Sequence, residues 1–310
     1  MTGLEIVVVR NVSYSQDAAY YKQEGGRAAQ SKMETGTSFP RERTMVAQRP
    51  LALVTGSSSG IGRAYAEALA ACGYDLLLVA RRRDRLEALA KATTKACGIS
   101  AEVLVTDLSD PQGLRRVEKR IDGEERLTML VNNAGIGGIK PFLEMDPAYI
   151  QKMIAVNVTA VTLLTYAALP GMLWHGGGTI VNVASGLAYN RIPGVAVYAA
   201  TKAFVIQFTR ILHDEYGSQG IRFQALLPGL TRTELGVGQQ PRDLMERIPA
   251  DQIGTPENAA KASLAGLELG ELMCIPGLAH PEEFVRADEA VQEALRKVTA
   301  EVAARYHARD

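Results

Sequence analysis

From Leu51 onward, short apolar segments alternate with longer amphipathic segments, and this alternation restricts the fold more than any other feature of the chain. The apolar segments are four to six residues long and lack the apolar–polar alternation of a strand with one face in water. Strands of this kind lie in a parallel sheet that is covered by helices on both faces. The repeated strand–helix units therefore predict a single α/β domain with a doubly wound, mostly parallel sheet.

The apolar segments predict seven strands, and the segments between them predict helices. The predicted strands are Leu51–Thr55, Asp75–Ala80, Ala101–Thr106, Met129–Asn132, Thr179–Val183, Arg222–Leu227 and a weaker one at Leu272–Ile275. The predicted helices include Ala64–Cys72, Arg85–Cys97, Pro147–Leu169 and Tyr198–Tyr216. After Pro281, apolar residues at steps of three and four form one stripe, which predicts an amphipathic helix over residues 281–310.

The first 48 residues differ from the domain that we expect over residues 49–280. They are polar and Gly-rich, without sustained helical periodicity, and they lack the design of a signal peptide. We expect a disordered extension. A sharper hypothesis is that translation starts at Met45, six residues before the first strand. Detection of the intact segment 1–44 in the native protein by mass spectrometry would exclude that start.

Charge and cysteine content exclude several classes of protein. Lys plus Arg and Asp plus Glu both number 34, so the zero net charge gives no reason to expect nucleic acid or an anionic membrane as a partner. Cys72, Cys97 and Cys274 lie far apart, which argues against a disulfide framework and a metal site and predicts a cytoplasmic location. Cys72 and Cys97 are expected to be small core residues. No stretch approaches the roughly 18 uninterrupted apolar residues of a membrane span.

A glycine-rich segment, Thr55–Gly62, follows the first predicted strand and opens the first helix. In this context Gly56 allows a tight turn, Gly60 lets the backbone approach a pyrophosphate, and Gly62 lets the helix pack closely. The backbone N–H groups at the helix start then hold the phosphates. The residues predicted to bind the cofactor here are Gly56, Ser58, Ser59, Gly60, Ile61 and Gly62.

The residues after the second strand indicate which dinucleotide is bound. An NAD site usually places an acidic residue there, whereas this chain has Arg81, Arg82 and Arg83. Guanidinium groups suit a 2′-phosphate, so the sequence favours NADP(H), with Arg81 as the first candidate and Arg82 as the second. The alternative is a basic first turn of a solvated helix.

Tyr198 and Lys202 are four residues apart, one helical turn on one face. A phenol has a pKa of about 10, and an adjacent ammonium would lower it, so Tyr198 could exchange a proton with a substrate oxygen. Taken alone, such a pair is common on protein surfaces. Ser185, thirteen residues earlier, could hold the carbonyl oxygen that Tyr198 protonates.

Taken together, the motifs resemble the short-chain dehydrogenase/reductase family. The residues within the motifs are similar to those of bacterial reductases of unassigned substrate. The resemblance runs from about Leu51 to about Leu278 and implies a Rossmann-type fold. It rests on Thr55–Gly62, Asn132–Gly135, Asn157, Ser185, Tyr198 with Lys202, and Pro228–Gly229.

The resemblance implies a role for each catalytic residue. Tyr198 is the general acid/base, and Lys202 lowers the pKa of Tyr198 and holds the nicotinamide ribose. Ser185 orients the substrate carbonyl. Asn157 holds a water molecule that links Lys202 to bulk solvent.

The resemblance also implies cofactor contacts outside the glycine-rich segment Thr55–Gly62, which is the phosphate loop of this chain. Asp107 and Leu108 line the adenine pocket, while Asn133, Ala134 and Gly135 pack beside the adenine ribose. Pro228 and Gly229 lie against the nicotinamide, and Thr233 bonds its carboxamide.

The expected reaction is hydride transfer between NADP(H) and a carbonyl/alcohol pair. A half-apolar segment broken by Gly and Pro, between Thr233 and Pro256, predicts a lid over a lipophilic or mid-sized substrate. Two alternatives are a redox sensor without turnover and an isomerase or dehydratase. The second usually needs a larger C-terminal domain than the about 80 residues after Pro228. The resemblance implies a homodimer or homotetramer formed through Pro147–Leu169 and Tyr198–Tyr216.

Overall fold

The computed structural model describes residues 48–235 and 248–298. Its seven strands form one sheet in the order β3-β2-β1-β4-β5-β6-β7, and every pairing is parallel. The strands are β1 Leu51–Thr55, β2 Asp75–Ala80, β3 Ala101–Val105, β4 Leu127–Asn132, β5 Gly178–Val183, β6 Ile221–Leu226 and β7 Met273–Cys274. The predicted doubly wound, Rossmann-like sheet is confirmed, and each predicted strand end lies within two residues of the observed end.

Helices connect the strands and cover both faces of the sheet. They are α1 Gly60–Ala71, α2 Arg83–Cys97, α3 Pro111–Ile121, α4 Pro147–Ile154, α5 Ala160–Trp174, α6 Ala196–Tyr216, α7 Pro256–Glu268 and α8 Pro281–Arg296. The predicted single helix Pro147–Leu169 is interrupted, because a π-helical turn, Ala155–Thr159, separates α4 from α5.

The burial of the strands explains why their sequences do not alternate. Every residue of β1 and β2 is buried. Within β1, Ala52 and Val54 pack with residues of α1, α2 and α7 on one face of the sheet. Leu51 and Leu53 pack with residues of α3 and α5 on the other face. Both faces thus need apolar side chains, as in a sheet between two helical layers.

The strand order places a crevice at the carboxyl edge of the sheet. The chain leaves β1 toward β2 on one side, and β4 lies on the other side of β1. Loops that follow β1 and β4 therefore run in opposite directions, and ligands of such sheets bind between them.

Three further expectations from the sequence concern the cysteines, the segment after Pro281 and the N-terminal extension. Cys72 is exposed at the C-terminal end of α1 and Cys97 is half-buried, so the prediction that both are core residues is wrong. The stripe predicted after Pro281 forms α8 as far as Arg296. The extension over residues 1–47 and the positions after Val298 lie outside the described residues.

One described segment is long and apolar enough to cross a membrane by length and composition. Pro147–Trp174 spans 28 residues, and its most apolar window has a mean hydropathy of 1.6. Half of that window is buried inside the fold, where α5 contacts β4, β5 and α3. A helix in the core of a folded protein can have the same length and mean hydropathy as a membrane span.

Candidate active site

A cleft of about 670 Å³ lies at the carboxyl edge of the sheet. It is lined by every residue predicted to bind cofactor or to act in catalysis except Gly62 and Asn157. The cleft therefore joins the glycine-rich loop after β1 to the Tyr198 end of α6.

The phosphate loop requires glycine for two different reasons. Gly56 has a φ of +67°, a conformation that side chains disfavour. A Cβ on Gly62 would lie 2.3 Å from Asn133 Nδ2 and 2.6 Å from the Gly56 carbonyl oxygen. Asn133 Nδ2 in turn donates to the Thr55 carbonyl at 2.8 Å, which fixes the loop against the segment after β4. Ser59 precedes α1 without a side-chain cap, so it leaves the first N–H groups of the helix for an anion.

Arg82, rather than Arg81, reaches over the phosphate loop. Its Nη2 lies 3.0 Å from Ser58 Oγ and 2.7 Å from Ser59 Oγ. Arg81 points toward Asp107, with 3.9 Å between Nη1 and Oδ2, and its side chain is more exposed. Helix α2 begins one residue after Arg82, and the Arg82 side chain lies over the loop. Both arginines line the cleft, so the order of the two candidates for the 2′-phosphate stays a prediction.

Asp107 forms an anchored carboxylate at the adenine end of the cleft. Its Oδ1 accepts hydrogen bonds from the backbone N–H and the hydroxyl of Ser109, at 2.9 and 2.7 Å, and Oδ2 accepts from Lys152 Nζ at 3.3 Å. Partial burial acts to raise the pKa of Asp107, but the bonds from Ser109 and Lys152 outweigh burial and hold the pKa below its ordinary value. Asp107 therefore stays an ionised acceptor near neutral pH.

Ser185, Tyr198 and Lys202 meet at the other end of the cleft. Ser185 follows β5 and caps the short turn Gly186–Ala188, while Tyr198 and Lys202 lie in the first two turns of α6. Burial raises the pKa of the Tyr198 phenol, and a hydrogen bond with Ser185 lowers it in part. Burial lowers the pKa of Lys202 to about 8.

Lys202 approaches Tyr198 over the face of the phenol ring. Lys202 Nζ donates to the Val183 carbonyl at 2.7 Å and lies 5.8 Å from the centroid of the Tyr198 ring. Burial has the largest effect on the pKa of Tyr198 and raises it, so the phenol is protonated at neutral pH. The role of Lys202 in lowering this pKa stays a prediction.

Asn157 lies behind the cleft and braces it. Its Nδ2 donates to the Ile136 carbonyl at 2.9 Å and to Thr201 Oγ1 at 3.0 Å, and its Oδ1 accepts from the Ile136 N–H at 2.9 Å. A Cβ on Gly135 would lie 3.4 Å from Lys202 Nζ and 3.5 Å from Asn157 Oδ1, so both side chains flank the same glycine. The role of Asn157 in holding a water molecule for Lys202 stays a prediction.

The residues predicted for the nicotinamide close one side of the cleft. Pro228 and Gly229 follow β6, and the Pro228 carbonyl accepts a hydrogen bond from the Gly186 N–H at 3.1 Å. A Cβ on Gly60 would lie 2.9 Å from Thr233 Cγ2, which places Thr233 against the phosphate loop.

Comparison with known proteins identifies the family. The sequence profile described as short chain dehydrogenase matches residues 50–243. The chain belongs to this family. A curated member, the very-long-chain 3-oxoacyl-CoA reductase of Anas platyrhynchos, is 32% identical over 263 residues, which cover 82% of this chain and 81% of the relative.

Two solved structures, one of a short-chain dehydrogenase and one of an alcohol dehydrogenase, are similar to this chain in fold and sequence. A short-chain dehydrogenase from Sphingobium yanoikuyae in complex with NADPH is 36% identical, with a TM-score of 0.77, and the match covers 83% of this chain and all of that one. The bulky-bulky ketone specific alcohol dehydrogenase from Comamonas testosteroni is 33% identical, with a TM-score of 0.76, over 84% and 99% of the two chains.

The residues present fit NADP(H), the cofactor bound in the structure from Sphingobium yanoikuyae. The glycine loop and the open start of α1 suit the pyrophosphate, because a side chain at Gly62 would fill that space. Arg82 with Ser58 and Ser59 provides donors for the 2′-phosphate. Among the described residues, no cluster of three His, Cys, Asp or Glu side chains could hold a metal ion.

Sequence reasoning missed several residues of the short-chain dehydrogenase site. Lys152 and Glu234 contact Asp107 and Arg82 from distant parts of the chain, and no local pattern marks those contacts. The substrate side was predicted only in the lid segment, of which Leu235 and Ile248 line the cleft, while Val237, Leu244 and Met245 lie outside the described residues. The apolar lining that was missed comprises Ile139, Leu187, Ile192, Val195 and Leu230.

Proposed function

We propose that this short-chain dehydrogenase reduces the carbonyl of a bulky, lipophilic substrate with NADPH, reversibly, and that Tyr198 is the general acid/base. The observation that supports this most is the convergence of Ser185, Tyr198 and Lys202 at one end of a cleft whose other end holds the phosphate loop and Arg82.

The raised pKa of Tyr198 suits the proposed direction. When bound, NADPH supplies the hydride that reduces the carbonyl carbon. The Ser185 hydroxyl and the Tyr198 phenol line the same end of the cleft and Ser185 acts on the pKa of the phenol, so both can bond one substrate oxygen. The protonated phenol then gives its proton to that oxygen, and the Lys202 ammonium stabilises the phenolate that remains.

The proposed substrate class follows from the apolar side of the cleft. Ile139, Ile192, Val195, Leu230 and Ile248 line it, and they offer burial rather than ion pairs to a substrate. The relatives' names agree, since one acts on very-long-chain 3-oxoacyl-CoA and another on bulky-bulky ketones. We therefore place this chain among the reductases of large ketones or 3-oxoacyl thioesters.

A carbonyl screen with NADPH tests the proposal. Bulky aryl ketones and long-chain 3-oxoacyl thioesters should be reduced, and Tyr198→Phe should lose this turnover while it keeps its NADPH affinity. Reduction of small, charged carbonyls alone would contradict the substrate class. NADPH binding without reduction of any carbonyl would instead indicate a redox sensor.

Assembly and location are proposals of the same kind. We propose a cytoplasmic homodimer or homotetramer that pairs through α4, α5 and α6. Large apolar side chains are exposed on these helices, namely Ile154, Leu163, Tyr166, Trp174, Phe204 and Ile211. Light scattering after size-exclusion chromatography would contradict this if it gave the mass of one chain at micromolar concentration.

A further inference from the structure

Glu234 forms an ion pair with Arg82, a residue that could bind the 2′-phosphate of the cofactor. Its Oε2 lies 2.5 Å from Arg82 Nη1, and its Oε1 lies 2.5 Å from Arg85 Nη1. The other donors of Arg82, Nε and Nη2, bond Ser58 and Ser59. Each of the three nitrogens of Arg82 therefore has a partner already, and the partner of Nη1 is an anion.

A phosphate and this carboxylate compete for the same donors. Arg85 and Arg82 hold the pKa of Glu234 to about 2, so Glu234 is ionised at neutral pH. A 2′-phosphate that bonds Arg82 would lie beside the carboxylate, and two anions at that separation repel each other. Either Glu234 leaves Arg82 when the phosphate enters, or the phosphate binds less tightly.

Arg85 gives the displaced carboxylate a second partner. The side chains of Arg82, Arg85 and Glu234 are 37%, 44% and 54% exposed, and exposed ion pairs of this kind are weak. Glu234 can thus give up Arg82 at small cost and keep its bond to Arg85.

We propose that Glu234 is an internal competitor of the 2′-phosphate of NADP(H) at Arg82, and that Arg85 sets the strength of that competition by retaining the carboxylate. The pair thereby tunes the preference for NADP(H) over NAD(H). The inference rests on the NADP(H) cofactor of the proposed function and is independent of the carbonyl that is reduced.

The test is equilibrium binding of NADPH and NADH to the full chain, followed by nucleotide fluorescence. Glu234→Gln should tighten NADPH binding by roughly three- to tenfold and leave NADH within about twofold, because a weak exposed ion pair is removed only where the phosphate binds. Arg85→Gln should weaken NADPH binding by a similar factor, since Glu234 then depends on Arg82 alone. Competition by 2′,5′-ADP, with 5′-AMP as its unphosphorylated partner, should show the same pattern.

The double variant decides between competition and direct contact. In the Glu234→Gln background, Arg85→Gln should no longer change NADPH affinity. If Arg85→Gln weakens NADPH equally in both backgrounds, Arg85 contacts the phosphate itself and the proposal is wrong. Weaker NADPH binding in Glu234→Gln would show that Glu234 positions Arg82 and would also overturn it.

A neighbouring ion pair supplies the matched control. Arg83 and Glu87 form an exposed pair on the same helix, so Glu87→Gln removes one charge from α2 without touching Arg82, and it should leave both affinities unchanged. Binding needs no turnover. The pattern above without reduction of any carbonyl would refute the proposed reaction alone, and reduction without the pattern would refute this inference alone.

Discussion

At the scale of single residues, burial acts on Tyr198 and Lys202 in opposite directions. It raises the pKa of the phenol and lowers that of the ammonium, because each shift favours the uncharged side chain. At pH 7 the phenol is protonated and the lysine, with a pKa of about 8, still carries its charge. The protein therefore keeps a charged group in its interior for the sake of the site.

Replacement of Lys202 by Met should stabilise the fold while it abolishes reduction. The pKa falls from 10.5 to about 8, which corresponds to about 3 kcal/mol of destabilisation at neutral pH. The lost bond to the Val183 carbonyl offsets about 1 kcal/mol. We expect Lys202→Met to raise the free energy of unfolding by about 2 kcal/mol at pH 7, measured by urea denaturation.

The sign of its pH dependence provides the control. Below pH 8 both states of the wild type bind the Lys202 proton, and between about pH 8 and 10.5 only the unfolded state does. Wild-type stability therefore rises with pH in this window, and the advantage of Lys202→Met should shrink there. Lys91→Met, at an exposed position of α2, should show neither effect. A less stable Lys202→Met at pH 7 would contradict the argument.

Ser185→Ala should separate the two directions of the reaction. The Ser185 hydroxyl is the group that lowers the pKa of Tyr198, so its loss should raise that pKa further. Alcohol oxidation needs the phenolate, and its alkaline rise should move to higher pH, with a rate reduced about 10²-fold. Ketone reduction needs the protonated phenol and should stay flat through neutral pH. An unchanged pH profile in steady-state kinetics would show that Ser185 does not act on Tyr198.

At the scale of elements, the sequence predicted the sheet well because each strand is apolar on both faces. It did not predict the π-helical turn Ala155–Thr159. The residues that flank that turn have ordinary helical dihedral angles, −63° and −45° at Ile154 and −63° and −44° at Ala160, so the chain enters and leaves the turn as a helix. No Gly or Pro marks the position, and the apolar periodicity continues across it.

Contacts between distant elements were also beyond a local pattern. The run of three arginines predicts a phosphate site, but the side-chain position of Arg82 depends on where α2 begins and on Glu234, 152 residues away. Asp107 was predicted beside the adenine from the resemblance, whereas its partner Lys152 comes from α4. Such pairs follow from packing rather than from spacing along the chain.

The π-helical turn contributes Asn157, whose side chain bonds Ile136 and Thr201 behind the cleft. We expect Asn157→Ala to cost about 1–3 kcal/mol of stability and to reduce turnover at least tenfold, because the peptide of Ile136 and Thr201 lose buried partners. Thr162→Val is the control, since the Thr162 hydroxyl makes a local hydrogen bond, to the Val158 carbonyl four residues earlier. Equal effects of the two substitutions, by thermal unfolding and steady-state kinetics, would remove any special role of Asn157.

At the scale of the whole molecule, stability is distributed unevenly. The strands at the centre are fully buried, whereas α8 contains no buried residue. Phe284 and Asp288 are the half-buried side chains of α8, and both contact other described parts of the domain. Phe284 contacts Tyr189 edge to face at 5.2 Å between ring centroids, and Asp288 accepts two hydrogen bonds from Arg210 of α6.

A helix with no buried residue should open locally without unfolding of the domain. Asp288→Ala removes the bidentate pair with Arg210, so amide hydrogen exchange within Pro281–Arg296 should accelerate several-fold while exchange in β1 and β4 stays unchanged. The Tm should fall by less than about 2 °C, since few apolar contacts depend on α8. Glu293→Gln is the matched control, because the ion pairs of Glu293 with described residues are to Arg296 and Lys297 at the end of the same helix. A fall in Tm above about 5 °C, with faster exchange in β1, would mean that α8 is part of the cooperative core, because opening it would then expose the sheet itself.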